Sequence, residues 1–389
     1  MRILVLHNRY RSGDTSGENR VVRDEAALLR AAGHEVTSWE PEPQVDTRAG
    51  QARAAADAVW SRRSARRVRA LVERNEIDVV HAHNLFPSLS PAVLRAARDG
   101  GAAVVVTLHN YRYLCLPGSL IRDGRACDIC VGHVPWRGVV HRCYRDSLPG
   151  SATIATSLTL HRSLSSFDAV DRFAAVSGFI RDTYQRVDFA PDRIVVKPNF
   201  APSVPAREGS GKGFVYIGRL APEKGVDTLL EAWRGDGDLA ESLGTLTIVG
   251  GGPSEAELRT TAPPGVRFVG DVPAEQVPGL IRAARAVMIP SRWEEAAVPR
   301  VALEAYASGV AVISSDRGAL PEGVVNDETG IIVPADEPAA WRDAAAAMIV
   351  GGTDERLGRG ALALWRERYG PEAGLEALEA LYLAATTRS

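Results

Sequence analysis

The chain has 389 residues, a length that favours two domains. Its 45% hydrophobic and 24% charged residues are typical of a globular protein, and a formal net charge of −2 argues against a nucleic-acid partner. No run of about 18 apolar residues occurs and the apolar N-terminal run is too short for a signal peptide, so we expect a cytoplasmic protein without a transmembrane helix. The chain has only three lysines against many arginines and alanines, which indicates a GC-rich bacterial genome.

Short apolar segments alternate with amphipathic ones in the first half of the chain. Residues 2–6 are predicted to form a buried strand, and residues 19–33 a helix that ends at Gly33. Strands are then predicted at "HEVTSWE", "IDVVHAH" and "AAVVVTLHN", with helices at "SRRSARRVRALVERN" and "PAVLRAARDG". Because several strands are continuously apolar, this β-α-β-α order predicts a parallel, doubly wound sheet.

The same alternation restarts after residues 197–213, whose Pro, Gly and Ser content indicates a linker. Strands are predicted at "FVYIG", "GTLTIVG", "VRFVGDV", "RAVMIP", "AVISS" and "TGIIVP", with helices between them. We therefore predict an α/β protein with two parallel-sheet domains, residues 1–200 and 201–371, that face a cleft. Residues 372–389 contain a helix whose place the periodicity leaves open.

Ligands of such sheets bind at the carboxyl ends of strands, so the loops after strands are candidate sites. Arg219 and Lys224 follow "FVYIG" beside a helix N-terminus, a combination that favours a diphosphate. The alternative is that Arg219 caps a strand and Lys224 is a surface charge in a turn. Gly251 lies in "GGGP" after another strand, which is weak support for a nucleotide loop because tight turns also need glycine.

Three carboxylates, Glu294, Glu295 and Glu304, lie in "SRWEEAAVPRVALEA", a loop that leads into an apolar helix. One interpretation is a solvated loop and a glutamate at the helix surface. The other is that these carboxylates bind hydroxyl groups of a ligand, since one carboxylate can accept two hydroxyl protons.

The first half offers fewer candidates. Gly17 precedes the first helix at a position able to take a negative group, and His109 ends the strand "VVVTLHN". A histidine there is either structural or faces a ligand, and both alternatives stay open. His81 and His83 are expected to point to opposite faces, so that at most one of them faces the site.

Together these segments resemble the retaining glycosyltransferases of family 4, which have the GT-B fold. The similarity rests on "GRLAPEKGVDTLLEA", "IVGGGP", "PSRWEE…VALEAYASG" and "TGIIVPADEPAAW", and more loosely on "SGENRVV", "DVVHAHN" and "TLHNY". It implies two Rossmann-like domains, the first for an acceptor and the second for a nucleotide-sugar donor, with residues 372–389 returning to the first domain. It also implies transfer of a hexosyl or acetylhexosaminyl group to a hydroxyl of a polysaccharide, glycolipid or secondary metabolite, with no cofactor for catalysis.

The resemblance assigns roles to matching residues. Arg219 and Lys224 match the pair that holds the donor diphosphate, and Glu304 matches a glutamate that binds ribose hydroxyls. Gly17 matches a glycine loop that closes over the donor phosphate, and His109 matches the histidine near the transferred sugar.

One position departs from the family's pattern. The glutamate expected eight residues before Glu304 is Ala296, so we favour Glu295 over Glu294 for contact with the sugar. The departure is the one observation that favours an alternative, a non-catalytic nucleotide-sugar-binding protein. A nucleotide-sugar epimerase of the same fold is the other alternative, and the glycine loop and the Arg219/Lys224 pair argue against it.

All four cysteines fall in an insertion at about residues 112–150. Cys115, Cys127, Cys130 and Cys143 have the spacing C-x11-C-x2-C-x12-C. Four thiolates could form a structural zinc site, with His133 and His141 as reserve ligands. Unligated thiols and disulfides are the alternatives, and a cytoplasmic location disfavours disulfides.

A second open question concerns the basic helix predicted at residues 61–75. It concentrates five arginines: Arg62, Arg63, Arg66, Arg67 and Arg69. We favour a solvated face, and peripheral contact with the inner face of the plasma membrane is the alternative. The oligomeric state stays open.

Overall fold

A computed structural model describes residues 1–10, 16–41, 46–234 and 242–387 of the chain. The chain divides into two compact units. Unit 1 comprises residues 1–122, residues 126–197 and the segment from Leu375 onward, and unit 2 comprises residues 123–125 and 198–374. Each unit contains one six-stranded sheet whose neighbouring strands are parallel.

The elements of unit 1 alternate along the chain as predicted. In chain order they are β1 (Arg2–Leu6), α1 (Gly17–Ala31), β2 (Glu35–Trp39), α2 (Arg48–Trp60), α3 (Arg62–Asn75), β3 (Val79–Ala82), α4 (Ala92–Asp99), β4 (Ala103–Leu108), β5 (Ile121–Arg122), β6 (Arg125–Ala126), α5 (Trp136–Val140), α6 (Leu148–Ser163), β7 (Arg172–Ala175), α7 (Gly178–Gln185) and β8 (Ile194–Val196). The sheet order is β2-β1-β3-β4-β7-β8, and β5 pairs with β6 in a separate two-stranded sheet.

The elements of unit 2 repeat this alternation. They are β9 (Phe214–Ile217), α8 (Val226–Trp233), β10 (Leu246–Val249), α9 (Glu255–Thr261), β11 (Val266–Gly270), α10 (Val277–Ala283), β12 (Ala286–Ile289), α11 (Arg300–Ala307), β13 (Ala311–Ser315), α12 (Leu320–Gly323), β14 (Gly330–Val333), α13 (Pro338–Ile349) and α14 (Thr353–Leu364). The last helix, α15 (Pro371–Thr386), begins in unit 2 and belongs to unit 1 from Leu375 onward. The sheet order is β11-β10-β9-β12-β13-β14.

Burial explains why the central strands of unit 2 lack a polar face. Val215 and Val287 belong to one core cluster, whereas their strand neighbours Phe214 and Met288 belong to another. Because successive side chains point to opposite faces, both faces of the unit 2 sheet are covered by apolar side chains. The prediction of two doubly wound parallel sheets is therefore confirmed.

Local sequence accounts for the start of α1. The Ser16 side chain accepts a hydrogen bond from the Asn19 N–H and so caps α1. The helix α2 was not predicted, and its alanine-rich sequence buries only Ala58.

At the other end of the chain, Leu378 and Tyr382 of α15 pack in the same cluster as Ile3 of β1.

The lengths and hydropathy of the helices bear on the expectation that no transmembrane helix is present. Among the described residues, none of the helices is long and apolar enough to cross a bilayer.

Candidate active site

Unit 2 reverses its strand order between β9 and β12, where ligands of doubly wound sheets bind. The loop after β9 carries Arg219 and Lys224, and the loop after β12 carries Glu294 and Glu295. A Cβ on Gly225, at the end of the first loop, would lie 2.1 Å from the Pro290 carbonyl oxygen of the second. The two loops are therefore in close contact at this edge of the sheet.

Lys224 is held by a carboxylate and an indole ring. Its Nζ donates to Glu295 Oε1 at 2.6 Å and lies 4.9 Å from the centroid of the Trp293 ring. Ser291 Oγ donates to the same carboxylate oxygen at 2.5 Å. The Lys224 side chain keeps 25% exposure while that of Glu295 keeps 9%, so the ammonium is positioned by a buried group and reachable from solvent.

Arg219 is held much more loosely. Its Nη1 lies 3.5 Å from Glu223 Oε1, and its side chain is 66% exposed. An exposed pair of this kind contributes little to stability. The guanidinium can therefore exchange this contact for an anionic ligand at low cost.

The glycine triplet after β10 shapes the loop that carries Arg219. Gly250 has φ +118°, and a Cβ there would lie 2.1 Å from the Gly218 carbonyl oxygen. Gly251 accepts a hydrogen bond from the Leu220 N–H at 2.9 Å through its carbonyl. The need for close backbone approach accounts for Gly250, and the ligand-binding role of Gly251 remains a prediction.

The two adjacent glutamates of the β12 loop do different things. Glu294 Oε2 accepts a hydrogen bond from the Gly318 N–H at 2.7 Å, and this bond ties the β12 loop to the β13 loop. Gly318 has φ +59°, and a Cβ there would lie 2.3 Å from the Glu295 N. The Glu295 carboxylate instead accepts a hydrogen bond from Lys224. The spacing of the motif could not reveal this pairing. A contact between Glu295 and a sugar remains a prediction.

Glu304 lies in the second half of α11, one turn after Arg300. Its Oε1 accepts a hydrogen bond from Arg300 Nε one turn earlier at 2.9 Å, and both side chains are 13% exposed. The helix therefore presents a largely buried, oriented carboxylate, and its ribose-binding role remains a prediction.

In unit 1 the strand order reverses between β1 and β3, and a buried polar cluster lies beside this point. His109 follows β4, and its Nε2 lies 2.8 Å from His83 Nδ1. His83 Nε2 lies 3.8 Å from Glu25 Oε2. The other oxygen of Glu25 accepts a hydrogen bond from Lys197 Nζ, and both partners of this pair are 2% exposed.

The expectation that His81 and His83 point to opposite faces is wrong. Both rings approach Glu25 Oε2, at 4.0 and 3.8 Å, and their centroids are 4.3 Å apart. Residues two apart on a strand share a face, and this is the periodicity that the structure shows. His81 is bound by Thr107 Oγ1 at 2.7 Å and by the Tyr382 hydroxyl of α15 at 2.8 Å.

Burial sets the protonation of this cluster. It lowers the pKa of His83 and of His109 well below 6.5, so both rings are neutral near pH 7. The Glu25 carboxylate favours the N–H of His83 at Nε2, which leaves His83 Nδ1 as an acceptor. His109 then donates through Nε2, which leaves its Nδ1 as an acceptor; a contact of this atom with a sugar remains a prediction.

The same cluster contains the one group of three metal-ligating side chains within 4.8 Å among the described residues: Glu25, His81 and His83. The ammonium group of Lys197 already neutralises Glu25. A second cation would be repelled by that ammonium, so the arrangement does not favour a metal here.

A small cavity of about 20 Å³ lies beside His109. Glu18, in the first turn of α1, lines it together with Arg112. Burial raises the pKa of Glu18 to about 7, and the Tyr10 hydroxyl donates to its Oε2 at 3.2 Å. Gly17 begins α1 and is exposed, and residues 11–15 of its loop lie outside the described residues.

Sequence reasoning missed four residues of these two sites: Glu18, Glu25, Ser291 and Trp293. Lys197 carried a usable signal, because it is one of only three lysines in the chain. For the carboxylates no sequence signal was available, because a glutamate in an amphipathic helix is usually solvated.

Comparison with known families decides the relationship. The model described as Glycosyltransferase Family 4 matches residues 15–202, and the model described as Glycosyl transferases group 1 matches residues 211–350. The chain belongs to glycosyltransferase family 4. This family 4 chain is also 32% identical over 148 residues to the D-inositol 3-phosphate glycosyltransferase of Corynebacterium glutamicum, covering 36% of this chain and 35% of that protein.

A second curated relative is the GDP-mannose-dependent alpha-(1-6)-phosphatidylinositol monomannoside mannosyltransferase of Mycobacterium tuberculosis. It is 33% identical over 159 residues, which cover 37% of this chain and 40% of that protein. The chain spans about a third to a little under half of the length of the curated relatives it matches.

Solved structures agree on the fold across the chain. The sucrose-phosphate synthase of Thermosynechococcus elongatus has a TM-score of 0.68 at 16% identity and covers 98% of both chains. Anabaena HepE in complex with UDP has a TM-score of 0.64 at 16% identity and covers 98% of this chain and 99% of that chain. The family 4 chain therefore has the GT-B fold.

Proposed function

We propose that this chain is a retaining glycosyltransferase that moves a sugar from a nucleoside-diphosphate donor to an acceptor hydroxyl. The observation that carries the proposal is the half-buried Lys224, held by Glu295 next to the exposed Arg219 at the strand-order reversal of unit 2. Two cations at such an edge suit the charge that grows on a leaving diphosphate.

The chemistry needs no protein nucleophile. The bond from the anomeric carbon to the diphosphate oxygen breaks, and a bond from that carbon to the acceptor oxygen forms on the same face. The acceptor's proton passes to the leaving phosphate. Arg219 and Lys224 stabilise the leaving group, Glu304 binds the ribose, and the Nδ1 of His109 accepts a hydrogen bond from a sugar hydroxyl.

For the donor sugar we propose a hexose or acetylated hexosamine. The GDP-mannose-dependent mannosyltransferase relative supports a hexose donor. For the acceptor we propose a polysaccharide, a glycolipid or a secondary metabolite, which are classes that a family 4 enzyme can accept by changes in its loops.

The deciding test is a thermal-shift titration of the purified chain with UDP-, GDP-, ADP- and dTDP-sugars, without added divalent metal. We expect stabilisation by one nucleotide family, lost in Arg219→Ala and Glu304→Ala, followed by product formation in an acceptor screen with that donor. Conversion of the donor without an acceptor would show an epimerase. Donor binding with no turnover of any kind would favour a non-catalytic binding protein, and no binding by any donor would overturn the proposal.

Peripheral membrane contact through α3 is a further part of this proposal. The residues that α3 buries, Ser64, Val68 and Val72, lie on one face, and Arg62 and Arg63 are exposed. A charged face of this kind attracts anionic lipid. Sedimentation with anionic vesicles should fall in Arg62→Ser/Arg63→Ser relative to the parent chain, and equal sedimentation would leave α3 as a solvated surface.

A further inference from the structure

The insertion at about residues 112–150 contains little that holds it together by packing. Its regular elements from residue 117 to residue 147 are the two-residue strands β5 and β6 and the five-residue helix α5. Val134, Trp136 and Val140 are 51%, 58% and 63% exposed. A long segment with so few buried apolar side chains needs another source of order.

Segments carrying three of the cysteines meet at Gly138. A Cβ on Gly138 would lie 2.7 Å from Leu116 Cδ1, next to Cys115, and 3.7 Å from Cys130 Sγ. The Cys143 N–H donates to the Gly138 carbonyl at 2.9 Å. Gly138, which has no side chain, therefore lies at the point where these segments meet.

The β5–β6 hairpin brings in the fourth cysteine. The Cys127 N–H donates to the Leu120 carbonyl at 2.8 Å, which closes the hairpin five residues after Cys115. The backbone N–H groups of Leu120, Gly118 and Ser119 lie against the Cys115 sulfur. Such N–H groups are a common companion of metal-bound thiolates.

All four cysteines are free thiols, and Cys143 lies within electrostatic range of Cys115, Cys127 and Cys130. Four thiolates in one neighbourhood repel one another unless a cation neutralises them, and a soft divalent cation does this best.

We propose that Cys115, Cys127, Cys130 and Cys143 bind one Zn²⁺ as a closed, tetrahedral structural site. Among the described residues no three of these sulfurs lie within 4.8 Å of one another, so the sulfurs must move together when the ion binds. Zn–S bonds of about 2.3 Å would then fix the hairpin, Gly138 and the loop after β4 as one piece. That loop includes Arg112, which lines the cavity beside His109.

The first test is the zinc content of the full chain purified without a metal-binding tag and without chelator. We expect about one zinc per chain, released when an organomercurial titrates the thiols. Cobalt substitution should give the visible absorption of a tetrahedral tetrathiolate site. Both readouts are independent of glycosyltransferase activity.

Matched variants separate the four-cysteine site from its alternatives. Cys127→Ser/Cys130→Ser should lose the zinc, whereas His133→Ala/His141→Ala should keep it, because the two histidines are not ligands in this proposal. If the cysteine variant does not fold, the chelator-treated parent chain still provides a test, because it should rebind about one zinc and regain its unfolding midpoint.

Three results would overturn the proposal. The first is a parent chain that is isolated without zinc and binds none on titration. The second is zinc that is retained in the double cysteine variant. The third is a pair of disulfides in the protein purified from a reducing cytoplasm.

Discussion

Two lysine–glutamate pairs behave differently because they differ in exposure. Lys197 and Glu25 in unit 1 are both 2% exposed, whereas Lys224 in unit 2 keeps 25% exposure beside Glu295 at 9%. A fully buried pair has no access to solvent and cannot exchange partners without exposing an unpaired charge. A half-exposed lysine can exchange its carboxylate for a diphosphate, so the same pair of residue types is structural in one unit and suited to ligand binding in the other.

The largest loss of stability is expected when the buried Lys197–Glu25 pair is broken. Lys197→Met should destabilise unit 1 by about 3–5 kcal/mol, because it leaves Glu25 charged and buried without its partner. Glu25→Gln/Lys197→Met should recover much of this loss. Calorimetric unfolding measures both, and an unchanged transition in Lys197→Met would contradict the structural role of the pair.

Breaking the Lys224–Glu295 pair should mainly weaken nucleoside diphosphate binding, with a smaller effect on the free energy of unfolding. Lys224→Met should lower the unfolding midpoint less than Lys197→Met does, because Lys224 is 25% exposed and Ser291 still donates to Glu295. It should weaken nucleoside diphosphate binding on the order of 100-fold, or about 2.8 kcal/mol. Calorimetric titration measures the affinity, with Lys212→Met as the charge-matched control; equal losses in the two variants would remove the contrast between the pairs.

Glu18 provides a third case, because burial raises the pKa of its carboxyl group and no lysine among the described residues is paired with it. Its neighbours are the Tyr10 hydroxyl, Arg112 and His7 Nδ1, the last at 3.9 Å. Its pKa of about 7 lies above the ordinary 4.5, so the folded chain binds this proton more tightly and stability falls as pH rises between these values. We expect a loss of roughly 2 kcal/mol between about pH 5.5 and 7.5.

The matched variant for this effect is Glu18→Gln, which keeps the shape but does not titrate. Unfolding measured across that pH range should be flatter in Glu18→Gln than in the parent chain. Identical pH dependence of the two proteins would show that the Glu18 carboxyl titrates normally.

The smallest expected effect concerns His83, and it tests whether the buried histidine cluster influences catalysis. His83→Gln should lower kcat about tenfold with little change in donor KM, because His109 loses the bond that fixes its tautomer. His81→Gln is the control, since His81 lies in the same cluster but is bound to Thr107 and Tyr382. Nitrogen NMR shifts of His109 should change in the first variant only; the same shift in both would make the cluster purely structural.

The amino-acid sequence by itself determined the order and type of most elements and the loops where chemistry lies. Continuously apolar strands and amphipathic helices follow from local patterns, and a strand end is visible in the sequence because an apolar run stops there. Arg219, Lys224 and the β12-loop glutamates were located in this way. The spacing of the cysteines was equally visible.

Only the tertiary structure decided which charged groups are partners. Lys197 meets Glu25 across 172 residues, and Lys224 meets Glu295 across 71. The choice of Glu295 for Lys224, with Glu294 turned to Gly318, depends on how two loops pack at the sheet edge. Burial and pairing are properties of the folded chain, because desolvation depends on everything that surrounds a group and not on its neighbours in sequence.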